Sequence, residues 1–112
     1  MIKQAISHTD FEKLDLRVGR VVDCQAPEWS DKLLEFTVDF GDEFGKKTVL
    51  AGVKKYFQPD FFQGRLFVFI VNLAERKMGQ GVSQGMMLMV DEAEKPIPLE
   101  ITEPSAEGSV IR

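Results

Sequence analysis

The sequence predicts an all-β fold, a small and strongly bent barrel built from five strands. Along residues 34–40 apolar and polar side chains alternate, which is typical of a strand that buries one of its faces. Residues 66–71 are wholly apolar and mostly β-branched or aromatic, as expected of a strand that is buried on both faces. Between residues 14 and 24 the apolar positions change phase after Gly19, and such a change indicates a bulged, bent strand.

Local signals place the elements before and between these strands. Thr9 and Glu12 have the spacing of a capping box, which predicts a single helical turn that leads into the first strand. Turn-forming residues at 26–31 separate the first strand from the second, and a glycine-containing hairpin loop at 41–45 leads into a third strand at 48–53. The first half of the chain is therefore expected to contain three of the five strands.

One short helix is predicted between the third and fourth strands, because Pro59 suits the start of a helix and Gly64 suits its end. Residues 86–90 are predicted to form the fifth strand, and prolines break the remaining tail into short pieces. Five bent strands with a helix between the third and the fourth have the layout of an OB-fold, a five-stranded Greek-key barrel.

The composition is that of an ordinary globular protein of 112 residues, with 44% hydrophobic and 29% charged side chains. We expect residues 1–112 to form one OB-fold domain, with a lead-in at about 1–12 and a proline-broken tail at about 91–112. The single cysteine, Cys24, cannot form an internal disulfide, and the N-terminus has no apolar segment of the signal-peptide kind. The sequence therefore predicts a cytoplasmic protein that does not cross a membrane.

The sequence contains no set of residues that suggests catalysis. His8 is the only histidine and lies in the lead-in, while Cys24 lies in a strand pattern, where a small buried side chain is the usual interpretation. Neither a metal-ligand spacing nor a phosphate-cradling loop of the Walker type is present. We therefore predict a protein that is not an enzyme and that needs neither a cofactor nor a metal.

The net charge of −4 is unevenly distributed along the chain. Residues 46–77 contain seven basic and two acidic side chains, a net charge of +5, whereas residues 1–45 carry −5 and residues 78–112 carry −4. An acidic protein with a basic middle segment is able to present one basic face to a polyanion such as a nucleic acid.

Residues 72–86 join the fourth strand to the fifth through a polar, basic segment that glycines interrupt. Glycine permits backbone conformations and close approaches that side chains forbid. Five side chains of this segment carry donors suited to phosphate, ribose and base edges, namely Asn72, Arg76, Lys77, Ser83 and Gln84. The four cations Lys54, Lys55, Arg76 and Lys77 are predicted to line a track for phosphates. The alternative interpretation is that these lysines are scattered charges that only aid solubility.

Several segments, in this order and spacing, resemble the tRNA-binding domain family. They are residues 11–22, 31–34, 38–41, 72–73, 76–78 and 81–86. The family includes a stand-alone dimeric tRNA-binding protein, the C-terminal extension of methionyl-tRNA synthetase and the secretion-associated chaperone CsaA. The resemblance runs from about residue 11 to residue 112 and is closer to the tRNA-binding branch. Because the chain begins at Met1, we expect a free-standing protein.

The resemblance implies a homodimeric OB-fold that grips the outer corner of tRNA largely by shape, through contacts to the RNA backbone. Carried over position by position, it assigns tRNA contacts to Lys32, Asn72, Arg76, Lys77, Ser83 and Met86. Two departures from the family pattern weaken the local positive field. Ala74 and Glu75 stand where relatives often have Lys-Pro, and Gly79 and Gln80 stand where a further basic residue is common.

Two alternative functions follow from the same resemblance. A CsaA-like chaperone would hold unfolded or exported polypeptides in an apolar groove formed by Met78, Met86, Met87 and Met89, but Met87 and Met89 are better explained as core residues. A non-catalytic subunit would instead deliver tRNA to methionyl-tRNA synthetase. For Trp29, two interpretations stay open: the ring stacks on a base or ribose, or it packs against its own loop or a dimer partner.

Overall fold

The computed structural model describes all residues from 1 to 112, and strands form most of its regular structure. The main strands are β1 Leu16–Gln25, β2 Leu34–Asp39, β3 Lys46–Ala51 and β4 Leu66–Ile70. The shorter ones are β5 Arg76–Met78, β6 Gly81–Ser83, β7 Met86–Met87, β8 Met89–Val90, β9 Ile97–Pro98, β10 Glu100–Ile101 and β11 Val110–Ile111. The predicted all-β fold is confirmed.

The main sheet has seven strands and runs in the order β10-β4-β1-β2-β3, with β7 also paired to β4 and β11 also paired to β1. All pairings are antiparallel. The long strand β1 bends between two partners, because its first half pairs with β4 and its second half with β2. The predicted bulge is present between Val21 and Asp23, which is two residues after Gly19.

Gly19 serves a different purpose from the bulge. A Cβ atom at this position would lie 2.5 Å from Val38 Cγ1, 2.6 Å from Phe40 Cε1 and 2.8 Å from Phe69 Cδ1. Atoms do not approach one another so closely, so only glycine lets β1 cross the inner side chains of β2 and β4 at this point. The bend therefore depends on a close approach at residue 19 and a bulge just after it.

The core lies inside the curved sheet. Leu34, Phe36, Val38 and Phe40 are buried, as the alternation along this strand predicts, and all five residues of β4 are buried too. Phe62 packs edge-to-face on Phe36, with ring centroids 4.8 Å apart, and so closes one end of the core. The prediction that Cys24 is a small buried side chain is also confirmed.

The predicted helix between the third and fourth strands is wrong in its extent. The segment contains only one turn of 3₁₀ helix, Pro59–Phe61. Pro59 starts this turn and Gly64 has a φ of +81°, as expected at such positions. The backbone directly after the turn, however, is hydrogen-bonded to another strand. The amide of Gly64 donates to the carbonyl of Val21 on β1, so no residues remain for a longer helix.

The lead-in helix α1 spans His8–Phe11 and is capped by Ser7, whose Oγ accepts from the amide of Asp10 at 3.1 Å. The predicted cap at Thr9 is wrong, because Thr9 lies inside the helix. The predicted fifth strand is split, since Met86–Met87 pairs with β4 and Met89–Val90 pairs with the tail strand β9. No helix in the structure has the length and apolar character needed to span a membrane.

Candidate nucleic-acid interface

The glycine-rich segment predicted as a loop contains a regular hairpin, β5–β6. In its antiparallel register, Arg76 lies opposite Ser83 and Lys77 opposite Val82. Gly79 and Gln80 form the two-residue connection, and Gly79 has a φ of +61°, the left-handed conformation that tight hairpin turns require. The two-residue glycine turn is the signal that sequence analysis missed, because strands of three residues are too short to show a period.

Side chains attach this hairpin to the edge of β3. The amide of Leu50 donates to Ser83 Oγ at 3.0 Å, and the amide of Thr48 donates to Gln84 Oε1 at 2.9 Å. In return, the amide of Gln84 donates to the carbonyl of Thr48 at 2.7 Å. Ser83 is 4% exposed, and its hydroxyl also donates to the carbonyl of Gly85. Two side chains thus replace the missing neighbour of an edge strand and close the barrel.

Asn72, another predicted contact, is also engaged within the protein. Its Oδ1 accepts from the amide of Asp15 at 2.8 Å, and its Nδ2 donates to the carbonyl of Lys13 at 2.7 Å. These bonds tie the end of β4 to the segment that leads into β1. Three of the predicted polar contacts, Asn72, Ser83 and Gln84, therefore use their donors or acceptors to hold the fold together.

The predicted basic residues are placed differently. Arg76, Lys77, Lys32 and Lys55 are exposed, and Lys54 is half-buried. The amide of Lys54 donates to the carbonyl of Lys32 at 3.2 Å, and Lys54 Nζ donates to the carbonyl of Ser30, so the first interstrand loop lies beside the end of β3. The ammonium of Lys55 lies 5.6 Å from the centroid of the Tyr56 ring.

Trp29 joins this loop to the hairpin. A Cβ atom on Gly79 would lie 2.5 Å from Trp29 Cζ3, and one on Gly81 would lie 3.1 Å from Trp29 Cζ2. The indole therefore rests directly on the turn of the hairpin. Trp29 therefore lies between the loop of Lys32, which contacts Lys54, and the hairpin that carries Arg76 and Lys77. We call the five predicted basic contacts together the cationic surface: Lys32, Lys54, Lys55, Arg76 and Lys77.

No residue of the cationic surface takes part in any of the five ion pairs in the structure. The nearest acidic group on the hairpin segment is that of Glu75, whose Oε2 accepts from Gln84 Nε2 at 3.2 Å. The charges of Arg76 and Lys77 are thus not neutralised by direct carboxylate contact. Four exposed cations and the half-buried Lys54, none of them paired with a carboxylate, create a positive potential that attracts a polyanion.

Three arginines on or beside the main sheet are paired with carboxylates. Arg17 Nε lies 2.6 Å from Asp15 Oδ1, a hydrogen bond that raises the pKa of Arg17. Arg20 Nε donates to Glu107 Oε1 at 2.7 Å, and this bond lowers the pKa of Glu107. Arg65 lies over the ring of Phe61, 4.5 Å from its centroid, and 3.7 Å from Glu100.

An apolar groove of about 500 Å³ borders the cationic surface. Its lining includes Leu73, Arg76, Met78, Met86 and Met89. Met86 is 44% exposed at this groove, whereas Met87 is 4% exposed and Met89 packs against the core. The prediction that Met87 and Met89 serve the core is confirmed, and Met86 lies where a bound molecule could reach it.

The structure offers little for catalysis. Burial raises the pKa of the Cys24 thiol to about 12, so the thiol is not a nucleophile at neutral pH. No group of three His, Cys, Asp or Glu side chains is placed to hold a metal ion. The arrangement of unpaired cations beside an apolar groove suits binding.

Residues 16–110 match the family model described as "Putative tRNA binding domain". A curated relative, the methionine–tRNA ligase of Paraburkholderia xenovorans (strain LB400), is 45% identical over 104 residues, which cover 90% of this chain and 14% of the ligase. The chain thus spans only a small part of such relatives.

Two solved structures have the same fold over almost the whole chain. A MetRS related protein from Pyrococcus horikoshii has a TM-score of 0.90 and 25% identity, and the match covers 98% of this chain and 100% of that one. The chaperone CsaA from Bacillus anthracis str. Ames has a TM-score of 0.85 and 26% identity, with 97% and 100% covered.

Proposed function

This chain belongs to the tRNA-binding domain family, and on that premise we propose that it binds tRNA through the cationic surface without catalysing a reaction. The observation that carries the proposal is the absence of ion pairs from all five basic residues of that surface, in a protein whose net charge is −4. Phosphate groups neutralise such cations and release counterions, which is the main source of affinity for nucleic acids. Because tRNA resides in the cytoplasm, we propose the same location for this protein.

We propose that recognition depends on the arrangement of phosphates in folded tRNA. Base edges are read by side chains with free donors and acceptors. Ser83 and Gln84 instead accept hydrogen bonds from backbone amides at the edge of β3, and Asn72 accepts one from the segment that leads into β1. The proposed division is therefore that the five cations contact the RNA backbone, Met86 borders the contact, and the three polar residues support it from beneath.

A homodimer is part of the proposal. The tail leaves apolar side chains in solvent, since Ile97 is 44% exposed, Leu99 38% and Val110 49%. A second copy that covered them would bury apolar area and would place two cationic surfaces on one assembly. Sedimentation at micromolar concentration should give twice the mass of the chain, and a monomer mass would count against the dimer.

The direct test is a titration of labelled bulk tRNA at several salt concentrations. With about five phosphates neutralised, the logarithm of the association constant should fall with log salt at a slope near −4. Arg76→Ala/Lys77→Ala should weaken binding and make the slope shallower by about 2, because two phosphate contacts are lost.

A matched control removes two positive charges from another part of the chain. Lys3 and Lys13 are exposed residues near the N-terminus, outside the cationic surface, and Lys13 Nζ lies 3.3 Å from Asp10 Oδ1. Lys3→Ala/Lys13→Ala should leave affinity and slope close to those of the unchanged protein. Affinity that does not depend on salt, or equal losses in the two double variants, would contradict the proposal.

The apolar groove favours a second candidate, a chaperone that holds unfolded or exported polypeptides. Flexible methionines such as Met78 and Met86 adapt to varied apolar side chains, and the solved chaperone CsaA has this fold. This function predicts suppression of aggregation of an unfolding client and binding that tolerates salt. Met86→Asp should abolish it, while Arg76→Ala/Lys77→Ala should leave it largely intact.

The likeness to methionine–tRNA ligases supports a third candidate, a non-catalytic subunit that delivers tRNA to such an enzyme. This function predicts that the chain lowers the KM for tRNA when it is added to a methionine–tRNA ligase. The effect should disappear in Arg76→Ala/Lys77→Ala. An unchanged KM would remove this candidate without affecting the proposal of tRNA binding itself.

A further inference from the structure

The Trp29 indole packs against two glycines of the hairpin, Gly79 and Gly81. The three atoms closest to a Cβ on Gly79 all belong to the Trp29 indole, at 2.5, 2.9 and 3.6 Å. A Cβ on Gly81 would meet the indole at 3.1 and 3.2 Å and Leu50 Cδ1 at 2.8 Å. Any larger residue at position 79 must therefore displace the indole or the turn.

The hairpin has little support at its turn, because the hydrogen bonds that attach it to the barrel lie at its other end and only Gly81 packs on Leu50 near the turn. Ser83 and Gln84 hold the end of β6 on β3. Strand β5, which carries Arg76 and Lys77, pairs with β6 and with no strand of the main sheet. A two-stranded hairpin alone is at best marginally stable in water, so the indole supplies the second point of attachment.

Trp29 also lies close to the other half of the cationic surface. Ser30, its neighbour in sequence, accepts from Lys54 Nζ at 3.2 Å, and its Oγ accepts from the amide of Lys32 at 3.2 Å. One half-buried ring is thus in contact with the hairpin and adjoins the loop that places Lys32 and Lys54. Its position couples the two groups of cations.

We propose that Trp29 is a positioning residue, which holds the β5–β6 hairpin against the first interstrand loop so that both groups of cations match one arrangement of phosphates. The inference rests on the proposed function and extends it, because it assigns the ring to supporting the hairpin and not to stacking on a base. Loss of the ring lets the hairpin move relative to Lys32 and Lys54, and fewer phosphates are then engaged together.

A double-mutant cycle tests the contact. Trp29→Leu and Gly79→Ala should each weaken tRNA binding by about tenfold, the middle of the range expected for coupled residues. The combined variant should bind less tightly than Trp29→Leu alone only by the cost of an alanine at the positive φ of residue 79, because the added methyl group then finds space that the indole had filled. Losses that multiply in the double variant would overturn the inference.

Two further measurements separate positioning from folding. Gly64→Ala is the matched control, since Gly64 also has a positive φ, +81°, but a Cβ atom added to it would meet no other atom within 4 Å. This variant should lower the melting temperature and leave the salt slope of tRNA binding unchanged. Trp29→Leu should instead make that slope shallower, and Trp29→Phe should restore part of it.

Fluorescence tests the contact without RNA. Trp29 is the only tryptophan of the chain, so its emission reports the indole alone. Gly79→Ala should shift the emission to longer wavelength as the ring moves into water, whereas Gly64→Ala should not. An unchanged emission in Gly79→Ala would overturn the contact even if Trp29→Leu does not fold.

The outcomes distinguish the inference from the function on which it rests. If the unchanged protein shows no salt-dependent tRNA binding, the proposed function fails and the inference fails with it. If the unchanged protein binds tRNA and Trp29→Leu keeps the same affinity and slope, tRNA binding stands and the positioning role of Trp29 is overturned.

Discussion

Two groups of basic residues in this protein differ in their surroundings. Arg17, Arg20 and Arg65 lie on the main sheet or beside it, and each is within 4 Å of a carboxylate. Arg76 and Lys77 lie on a hairpin outside the sheet and have no such partner. The first group stabilises the fold, and the second is free to bind an external anion. Total charge therefore says little about ligands, because the pairing of each cation decides whether it contributes to binding.

The largest expected effect comes from reversing the charges of the unpaired group. Arg76→Glu/Lys77→Glu should lower tRNA affinity roughly a hundredfold at low salt, since attraction to phosphates becomes repulsion. The melting temperature should stay nearly unchanged, because these side chains make no ion pair. Lys3→Glu/Lys13→Glu is the charge-matched control, and an equal loss of affinity in it would remove the distinction between the two groups.

A smaller effect is expected when the support of the hairpin is removed. Ser83→Ala leaves the buried amide of Leu50 without an acceptor, which should cost about 1–3 kcal/mol in the free energy of unfolding. Urea denaturation measures this loss. Affinity for tRNA should fall as well, because the hairpin that presents Arg76 and Lys77 is less firmly held. Unchanged stability would show that Ser83 does not close the barrel.

Arg20→Ala should lower stability and leave tRNA affinity unchanged, which is the opposite of the effect expected from charge reversal at Arg76 and Lys77. Arg20 donates to Glu107 at 2.7 Å and to the carbonyl of Gly64 at 2.8 Å, so its removal should lower the free energy of unfolding. Affinity for tRNA should not change. A clear loss of binding without a loss of stability would place Arg20 in the functional group and contradict the division.

Glu75→Gln removes the only carboxylate of residues 72–86 and should strengthen the attraction of Arg76 and Lys77 for phosphates. The amide oxygen retains an acceptor for Gln84 Nε2, so the local structure is preserved. Affinity for tRNA should rise by a few-fold at low salt and converge with the original value at high salt. Glu103→Gln should show no such rise, since Glu103 lies in a depression with Arg20 and Arg65 and with no residue of the cationic surface.

The smallest effect concerns pH. The hydrogen bond from Arg20 lowers the pKa of Glu107 below its ordinary value of 4.5, so the pair stabilises the folded state at pH values above 4.5. This contribution is lost as the pH falls below 4.5 through the lowered pKa of the folded state. In Glu107→Gln, the difference in unfolding free energy from the unchanged protein should therefore shrink in acid. A constant difference would show that the pair is not linked to protonation.

The barrel was predictable because its signals are local. Alternation along residues 34–40 and the apolar run at 66–71 each report burial through the side chains themselves. The extent of the helix before β4 was not predictable, since the bond from Gly64 to Val21 joins segments that are far apart in sequence. The β5–β6 hairpin was missed for a different reason, because its three-residue strands are too short to show a period.

The sequence also did not reveal which polar residues of the site are hydrogen-bonded within the protein and which basic residues remain unpaired. Asn72, Ser83 and Gln84 carry donors that suit RNA, and nothing in their types distinguishes them from Arg76 and Lys77 as ligands. Their partners lie 57, 33 and 36 residues away, so only the fold reveals that these groups are occupied. Cations have no acceptor function and long stems, which is why they remain at the surface while the short polar side chains turn inward.

The way in which the edge of β3 is covered affects how readily the protein aggregates in solution. Its outer amides are satisfied by the side chains of Ser83 and Gln84, which a backward swing of the hairpin would release together. The bare edge would then be a template for strands of other molecules and a starting point for aggregation. A bound tRNA that holds the hairpin on β3, as proposed, would therefore also slow aggregation. Solutions of the protein should stay free of aggregates for longer with tRNA than without it.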